Sequence, residues 1–219
     1  DGRLLLLTST QELILDAETG RIEDVIPVAK AWERPSRRPG ELLVQVSADG
    51  KLEARARGDE VEIIGASSKA TIRHLTGERR EGLGHTITDL DFAPDGRRLA
   101  ATFSYGQIAV WDVSSGLRVG TMRTIFEEGW ATDGVLGASG DRVYYLQRGV
   151  VREWRWEDDR QPLVVQVGDQ PIASLAPSWD GGLLAAADDQ GALTVIAVND
   201  GEIVARPAWG GVPVELLRW

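Results

Sequence analysis

A repeat of short apolar segments separated by tight turns constrains the fold of this chain more than any other feature. Turn glycines recur at Gly50, Gly96, Gly140 and Gly181, and their spacings are 46, 44 and 41 residues. The apolar segments between them lie too close together for a crossover helix, so neighbouring segments must pair as antiparallel strands. One four-stranded unit buries too little apolar surface to be stable alone, and stacked units remove that problem. The sequence therefore predicts an all-β protein built from repeated four-stranded units.

The segment from residue 84 to residue 116 is the most informative of these units. It reads GHTITDLDFAPDGRRLAATFSYGQIAVWDVSSG, with a Gly-His pair, a Pro-Asp-Gly turn and a Trp-Asp pair. This order resembles a WD40 repeat, and WD40-type blades recur at about 40–45 residues. The resemblance implies a β-propeller with four-stranded blades. Six residues carry the repeat signature, and the last of them is the tryptophan at the corresponding position of the next unit. They are His85, Asp95, Gly96, Trp111, Asp112 and Trp154.

The same segment departs from the family pattern at two positions. In the family, a hydrogen-bonded tetrad often joins the Gly-His histidine, a strand Ser or Thr, a turn Asp and the Trp of the Trp-Asp pair. His85 and Trp111 match two of these members, but Ala101 and Tyr105 occupy the other two positions. The resemblance therefore implies that this blade depends on packing rather than on the tetrad.

The repeat predicts about five WD40-like blades in a single domain that covers residues 1–219. The C-terminal sequence VPVELLRW looks like a first strand, and the chain begins at the turn that would follow such a strand. The C-terminal strand is therefore expected to complete the N-terminal blade. Two arrangements stay open, a closed five-bladed ring and an arc of a larger propeller, for example a seven-bladed one. The predicted blades are residues 1–30 with 212–219, 31–82, 83–125, 126–169 and 170–211.

Charge and composition limit the classes of partner. The chain has 24 basic and 34 acidic side chains and a net charge of −10, which argues against non-specific nucleic-acid binding. Residues 125–219 carry 15 acidic and 7 basic side chains, so a partner with a basic surface is favoured. No apolar run approaches the roughly 18–20 residues of a membrane span. The absence of cysteine favours a reducing compartment, and we expect a cytoplasmic protein without membrane contact.

The sequence shows no recognisable catalytic constellation. There are two histidines and no cysteine, and no nucleophile elbow or phosphate-binding loop is present. We therefore expect no enzymatic activity, no cofactor and no metal. The alternative is a propeller enzyme or small-molecule sensor that uses the central channel, where the inner strands offer Asp89, Asp91 and Asp133.

The resemblance also implies where a partner binds. In the family, the turns between the second and third strands and the connections between blades form a rim that often binds peptides or proteins. We therefore expect a non-catalytic scaffold that presents its rim to a protein or peptide, as one domain of a larger signalling or assembly protein. The rim residues expected to contact the partner are Arg57, Tyr105, Trp130, Arg148, Asp188, Asp189 and Trp209.

Overall fold

The computed structural model describes most of the chain in segments. The segments are residues 2–8, 11–17, 19–27, 42–76, 86–104, 106–123, 131–136, 140–147, 150–157, 164–168, 170, 172–178, 180–188, 190–207, 214 and 216–218. Within these segments the chain forms strands and turns, and no helix is long and apolar enough to cross a membrane.

The described strands form five four-stranded antiparallel sheets. The first sheet has the order β20-β1-β2-β3, with β1 Arg3–Leu7, β2 Gln11–Asp16, β3 Ile22–Pro27 and β20 Leu216–Arg218. The second contains β4 Leu43–Val46, β5 Leu52–Arg57, β6 Glu60–Gly65 and β7 Thr71–Thr76. The third contains β8 Ile87–Phe92, β9 Arg98–Phe103, β10 Gln107–Asp112 and β11 Arg118–Arg123. The fourth contains β12 Ala131–Leu136, β13 Arg142–Gln147, β14 Val150–Arg155 and β15 Val164–Gln166. The fifth contains β16 Ile172–Pro177, β17 Leu183–Asp188, β18 Leu193–Ala197 and β19 Ile203–Ala205.

In the second and fifth sheets, a serine and an aspartate side chain fix the turn between the first and second strands. In the second sheet the Ser47 hydroxyl donates to Asp49 Oδ1 at 2.8 Å and accepts from the Leu52 amide at 3.0 Å. Ser178 and Asp180 repeat the first of these contacts in the fifth sheet at 2.6 Å. Hydrogen bonds from Lys51 and Ser47 lower the pKa of Asp49 to about 2, and the contact with Ser178 lowers the pKa of Asp180. The turn is thus specified within five or six consecutive residues.

The C-terminal strand completes the N-terminal sheet, as the sequence predicts. β20 pairs with β1, and its partners are Leu5 with Arg218, Leu6 with Leu217 and Leu7 with Leu216. This pairing joins the two ends of the described chain in one sheet. The choice between a closed five-bladed ring and an arc stays open, and the single-domain interpretation stays a prediction.

The chain divides into two compact units. One contains Asp1–Ser36, Gly149–Val151 and Leu163–Trp219, and the other contains Arg37–Arg148 and Arg152–Pro162. In the first unit, a leucine-rich face of the first sheet packs on an alanine- and valine-rich face of the fifth. The fully or nearly buried members of this core are Leu4, Leu6, Leu13, Leu15, Ala176, Ala185, Ala187, Leu193, Val195, Val214 and Leu217.

Two cores lie in the second unit. The first core joins the second and third sheets and contains Trp111, which packs with residues such as Ile63 and Leu99. The second core joins the third and fourth sheets and contains Trp154, Tyr145 and their neighbours. Each face is apolar because every second residue of a strand points to the same side. The third sheet is therefore buried on both faces.

Candidate interaction surface

The structure describes two of the seven residues expected to contact a partner. Arg57 and Asp188 lie at the ends of second strands, β5 and β17, where the turn to the third strand begins. The other five predicted contacts fall outside the described residues, namely Tyr105, Trp130, Arg148, Asp189 and Trp209. Their placement on the rim stays a prediction.

Arg57 is exposed at the start of a turn that is anchored to the next sheet. The carbonyl oxygen of Gly58 accepts a hydrogen bond from the Ile87 amide of β8 at 2.7 Å. This contact holds the turn of the second sheet against the third. Within the described part of the chain, no hydrogen bond or ion pair engages the Arg57 side chain. An unengaged cationic side chain is thus carried on an anchored backbone.

Asp188 has a local role that the sequence interpretation missed. Its Oδ1 accepts hydrogen bonds from the amides of Gln190 at 3.0 Å and Ala192 at 2.7 Å. Its own amide donates to the Ala192 carbonyl oxygen at 2.9 Å, and Gly191 has a left-handed φ of 88°. Asp188 therefore shapes the turn between β17 and β18. Its contact with a partner stays a prediction.

Asp95 and Gly96 of the repeat signature build the turn between β8 and β9. The Arg97 amide donates to Asp95 Oδ1 at 2.9 Å, and the Gly96 amide donates to the Ala93 carbonyl oxygen at 2.8 Å. Gly96 has a φ of 70°, a conformation that residues with a Cβ adopt at a cost. The pair thus directs the chain back into β9.

Trp111 and Asp112 at the end of β10 have different roles, one in core packing and the other in the turn that follows. The Trp111 side chain is 1% exposed and fills the core between the second and third sheets. Asp112 Oδ1 accepts from the Ser114 hydroxyl at 2.7 Å and from the Ser115 amide at 2.8 Å, while Oδ2 pairs with Arg98. The contacts with Ser114 and Ser115, reinforced by Arg98, hold the Asp112 pKa well below its usual range. The tryptophan therefore supplies packing, and the aspartate closes the turn to β11.

Ala101 occupies one of the tetrad positions and is buried in the apolar core. Ala101 is 1% exposed and belongs to the same core as Trp111, and an alanine side chain has no group that could join a hydrogen-bonded tetrad. His85 and Tyr105 lie outside the described residues. The buried methyl group is consistent with a blade that depends on apolar contact.

A glycine in β11 allows a close approach between the third and fourth sheets. A Cβ at Gly120 would lie 2.6 Å from the Trp156 Cβ and 3.0 Å from the Trp154 Cη2. Trp154 is 2% exposed, and its ring centroid lies 6.0 Å from that of Trp156. Sequence reasoning placed Trp154 in the core but did not single out Gly120 or Trp156. The sequence signal was a glycine in the interior of a strand, a position that often marks a bulge or a close approach, and the register of β11 with β10 does shift beside Gly120.

A buried acid–base cluster in the fourth sheet was also missed. Glu153 is 1% exposed, and its Oε1 lies 2.6 Å from Arg155 Nε and 3.2 Å from Arg142 Nη1. Arg142 also pairs with Asp141 at 2.8 Å, which raises the arginine pKa. Burial raises the pKa of the neighbouring Tyr144 to about 12. The charges satisfy one another within the sheet, so the cluster has a structural role.

The described residues offer no group of three or more His, Asp or Glu side chains that could hold a metal ion. Asp91 Oδ1 of β8 accepts a hydrogen bond from the side-chain Nε2 of Gln45 in β4 at 3.4 Å. This inner-strand aspartate thus contacts the neighbouring sheet. Chemistry in a central channel stays a hypothesis.

Comparison with known proteins establishes the architecture. No protein-family model matches the chain, and no curated protein sequence matches it. Among solved structures, it is similar to the β-propeller domain of Cps50 (Swd1) from Myceliophteria thermophila, with a TM-score of 0.65 and 17% sequence identity. The fold is that of a β-propeller. The match covers 80% of this chain and 57% of the Swd1 domain, so the propeller described here corresponds to a little over half of that domain.

Proposed function

We propose that this propeller is a WD40-type, non-catalytic interaction module that presents a rigid surface to a protein or peptide. The observation that carries the proposal is Arg57, an exposed and unengaged cation on a turn whose Gly58 carbonyl is hydrogen-bonded to the next sheet. A fixed backbone lowers the entropy lost when a partner binds. Arginine is also among the residues that most often dominate binding energy at protein interfaces.

The rest of the proposal follows from charge and from the repeat signature. Residues 125–219 carry 15 acidic and 7 basic side chains, so the partner would present a basic surface together with a group that accepts hydrogen bonds from Arg57. Complementary charge raises the rate and the specificity of association. The module would act in the cytoplasm as one domain of a larger signalling or assembly protein.

A random-peptide display library tests the proposal while the partner is still unidentified. Peptides enriched on the immobilised wild-type chain are titrated against Arg57→Glu and against Arg118→Glu by fluorescence polarisation. Arg118 is an exposed arginine on β11, away from the turns that join second and third strands, and therefore provides a matched charge reversal. We expect about tenfold or greater loss of affinity for Arg57→Glu and no change for Arg118→Glu. Both variants should retain the wild-type thermal midpoint, because neither side chain is buried.

The remaining predicted contacts can be examined with the same peptides. Truncation of Trp130, Arg148 or Trp209 should abolish binding with little change in thermal stability. The proposal fails if no peptide is enriched, or if the enriched peptides bind Arg57→Glu as tightly as the wild type. A large loss of stability on truncation would instead assign those three residues to the core.

A further inference from the structure

A short stretch of pairing holds β20 beside β1. Three residues of β1 pair with β20, whereas all five pair with β2. Residues 206–215 connect β19 to β20, and a fully extended connection of this length reaches roughly 35 Å. That reach is greater than the ~10 Å between packed sheets. β20 can therefore leave β1 while β19 stays in the fifth sheet.

The position that β20 fills requires a strand. β1 pairs with β2 along one edge, so loss of β20 would leave the backbone groups of residues 5–7 unpaired along the other edge. An unpaired strand edge is a template for pairing with another chain. Leu6 is fully buried and is opposite Leu217 in the register. The same loss would therefore also uncover part of the core.

Two apolar side chains anchor this part of the chain to the core. Val214 and Leu217 are each 4% exposed, and both belong to the core that joins the first and fifth sheets. Main-chain pairing gives affinity to an added strand, and the pockets for its side chains give specificity. The position beside residues 5–7 of β1, with the part of the core that receives these two side chains, is called the strand slot below.

We propose that the strand slot is an exchangeable binding site, and that it takes β20 of a second copy of this chain to form a strand-exchanged dimer. β20 of another copy carries the same backbone and the same Val214 and Leu217. It can therefore make every contact of the resident strand, and exchange of an identical element needs no new complementary surface. All of these contacts lie within the unit that contains the first and fifth sheets.

Protein concentration determines which copy supplies the strand. The connection keeps the chain's own β20 beside the slot at an effective concentration on the order of 1 mM. A second copy competes with it only when the protein concentration approaches the same range. The chain should therefore be monomeric at about 1 µM and should dimerise as its concentration approaches about 1 mM.

A fluorescein-labelled peptide of residues 212–219 tests the strand slot by fluorescence polarisation. In the full chain, Leu217→Asp places a charge in the apolar core and should release the resident strand. This variant should therefore bind the peptide at least about tenfold more tightly than the wild type does. A peptide that itself carries Leu217→Asp should not bind. Val204→Asp is the matched charge control, because Val204 is 42% exposed on β19, and it should bind the peptide as weakly as the wild type.

A milder variant keeps the test valid if the aspartate disturbs folding. Leu217→Ala shortens the same side chain without adding a charge. It should also bind the peptide more tightly than the wild type does. The peptide should raise its thermal midpoint, because a ligand that binds the folded state stabilises it.

Analytical ultracentrifugation of the full chain tests the second copy as the occupant. Between about 1 µM and about 1 mM the average mass should rise from one chain toward two, whereas Leu217→Asp should stay monomeric. An excess of the wild-type peptide should return the wild-type dimer to monomers, and the peptide that carries Leu217→Asp should leave it intact.

Three results would overturn the proposal. The first is that neither Leu217→Asp nor Leu217→Ala binds the peptide more tightly than the wild type. The second is a wild-type dimer that the peptide does not dissociate, which would place the contact elsewhere on the surface. The third is peptide binding without any wild-type dimer, which would assign the strand slot to a strand from a different protein.

Discussion

Gly120 offers a direct measurement of how tightly the third and fourth sheets are packed. In Gly120→Ala the new Cβ would lie 2.6 Å from the Trp156 Cβ, 2.9 Å from its Cγ and 3.0 Å from the Trp154 Cη2. Carbon atoms in contact are normally about 3.5–4.0 Å apart, so the two sheets would have to separate by about 1 Å. Overpacking of this kind costs about 1–3 kcal/mol. The loss of glycine freedom in the unfolded chain offsets about 0.4–1 kcal/mol.

We therefore expect Gly120→Ala to lower the free energy of unfolding by about 1–2 kcal/mol. Urea denaturation followed by tryptophan fluorescence measures this change, because Trp154 and Trp156 lie at the site. Gly168→Ala is the matched control, since a Cβ at Gly168 would meet no atom within 4 Å. That control should leave the stability unchanged or raise it slightly.

A second substitution identifies the contact responsible. Trp156→Ala keeps the Cβ that lies 2.6 Å away, so Gly120→Ala should still be destabilising in that background. Trp156→Gly removes this atom as well, and the cost of Gly120→Ala should then fall to that of the remaining 3.0 Å contact with Trp154 Cη2. Equal stability of Gly120→Ala and Gly168→Ala would refute the packing of these two sheets at this point.

Two other predictions test the repeat signature. Trp111→Ala should cost about 3–5 kcal/mol, because its buried ring fills the core between the second and third sheets; a near-neutral result in chemical denaturation would contradict the assignment of β10. The lowered pKa of Asp112 means that the folded state favours its ionised form. Its contribution to stability is therefore present above the unfolded pKa of about 3.9 and is lost as the pH falls below that value. Asp112→Asn should destabilise the protein at neutral pH and reduce its loss of stability in acid; identical pH profiles of variant and wild type would contradict this role.

Much of the fold could be predicted from the sequence because each turn of the repeat is determined by a few residues that are close together in the chain. The Gly96 turn needs only its left-handed glycine and an aspartate beside it, and the turn after Trp111 needs only Asp112 and the two serines that follow. The pairing of the C-terminal strand with β1 was also predictable, because a segment with the pattern of a first strand stood at one end of the chain.

The candidate surface was harder to predict, because the same residue types occur at turns whether they contact a partner or build the turn itself. Arg57 and Asp188 were both expected to meet a partner, yet the Asp188 carboxylate holds the turn between β17 and β18. The sequence could not separate these roles, since an aspartate at a turn serves either one. The hydrogen bonds of the fold show that Asp188 builds its turn, and its contact with a partner stays a prediction.

The sequence by itself determined the all-β class, the repeated four-stranded unit and the buried positions of Trp111 and Trp154. Only the tertiary structure decided which strand faces meet, and therefore why Gly120 must lack a side chain. The physical reason is distance along the chain. Turns and strand alternation depend on neighbouring residues, whereas packing between sheets depends on residues that are remote in sequence and meet only after the strands have paired.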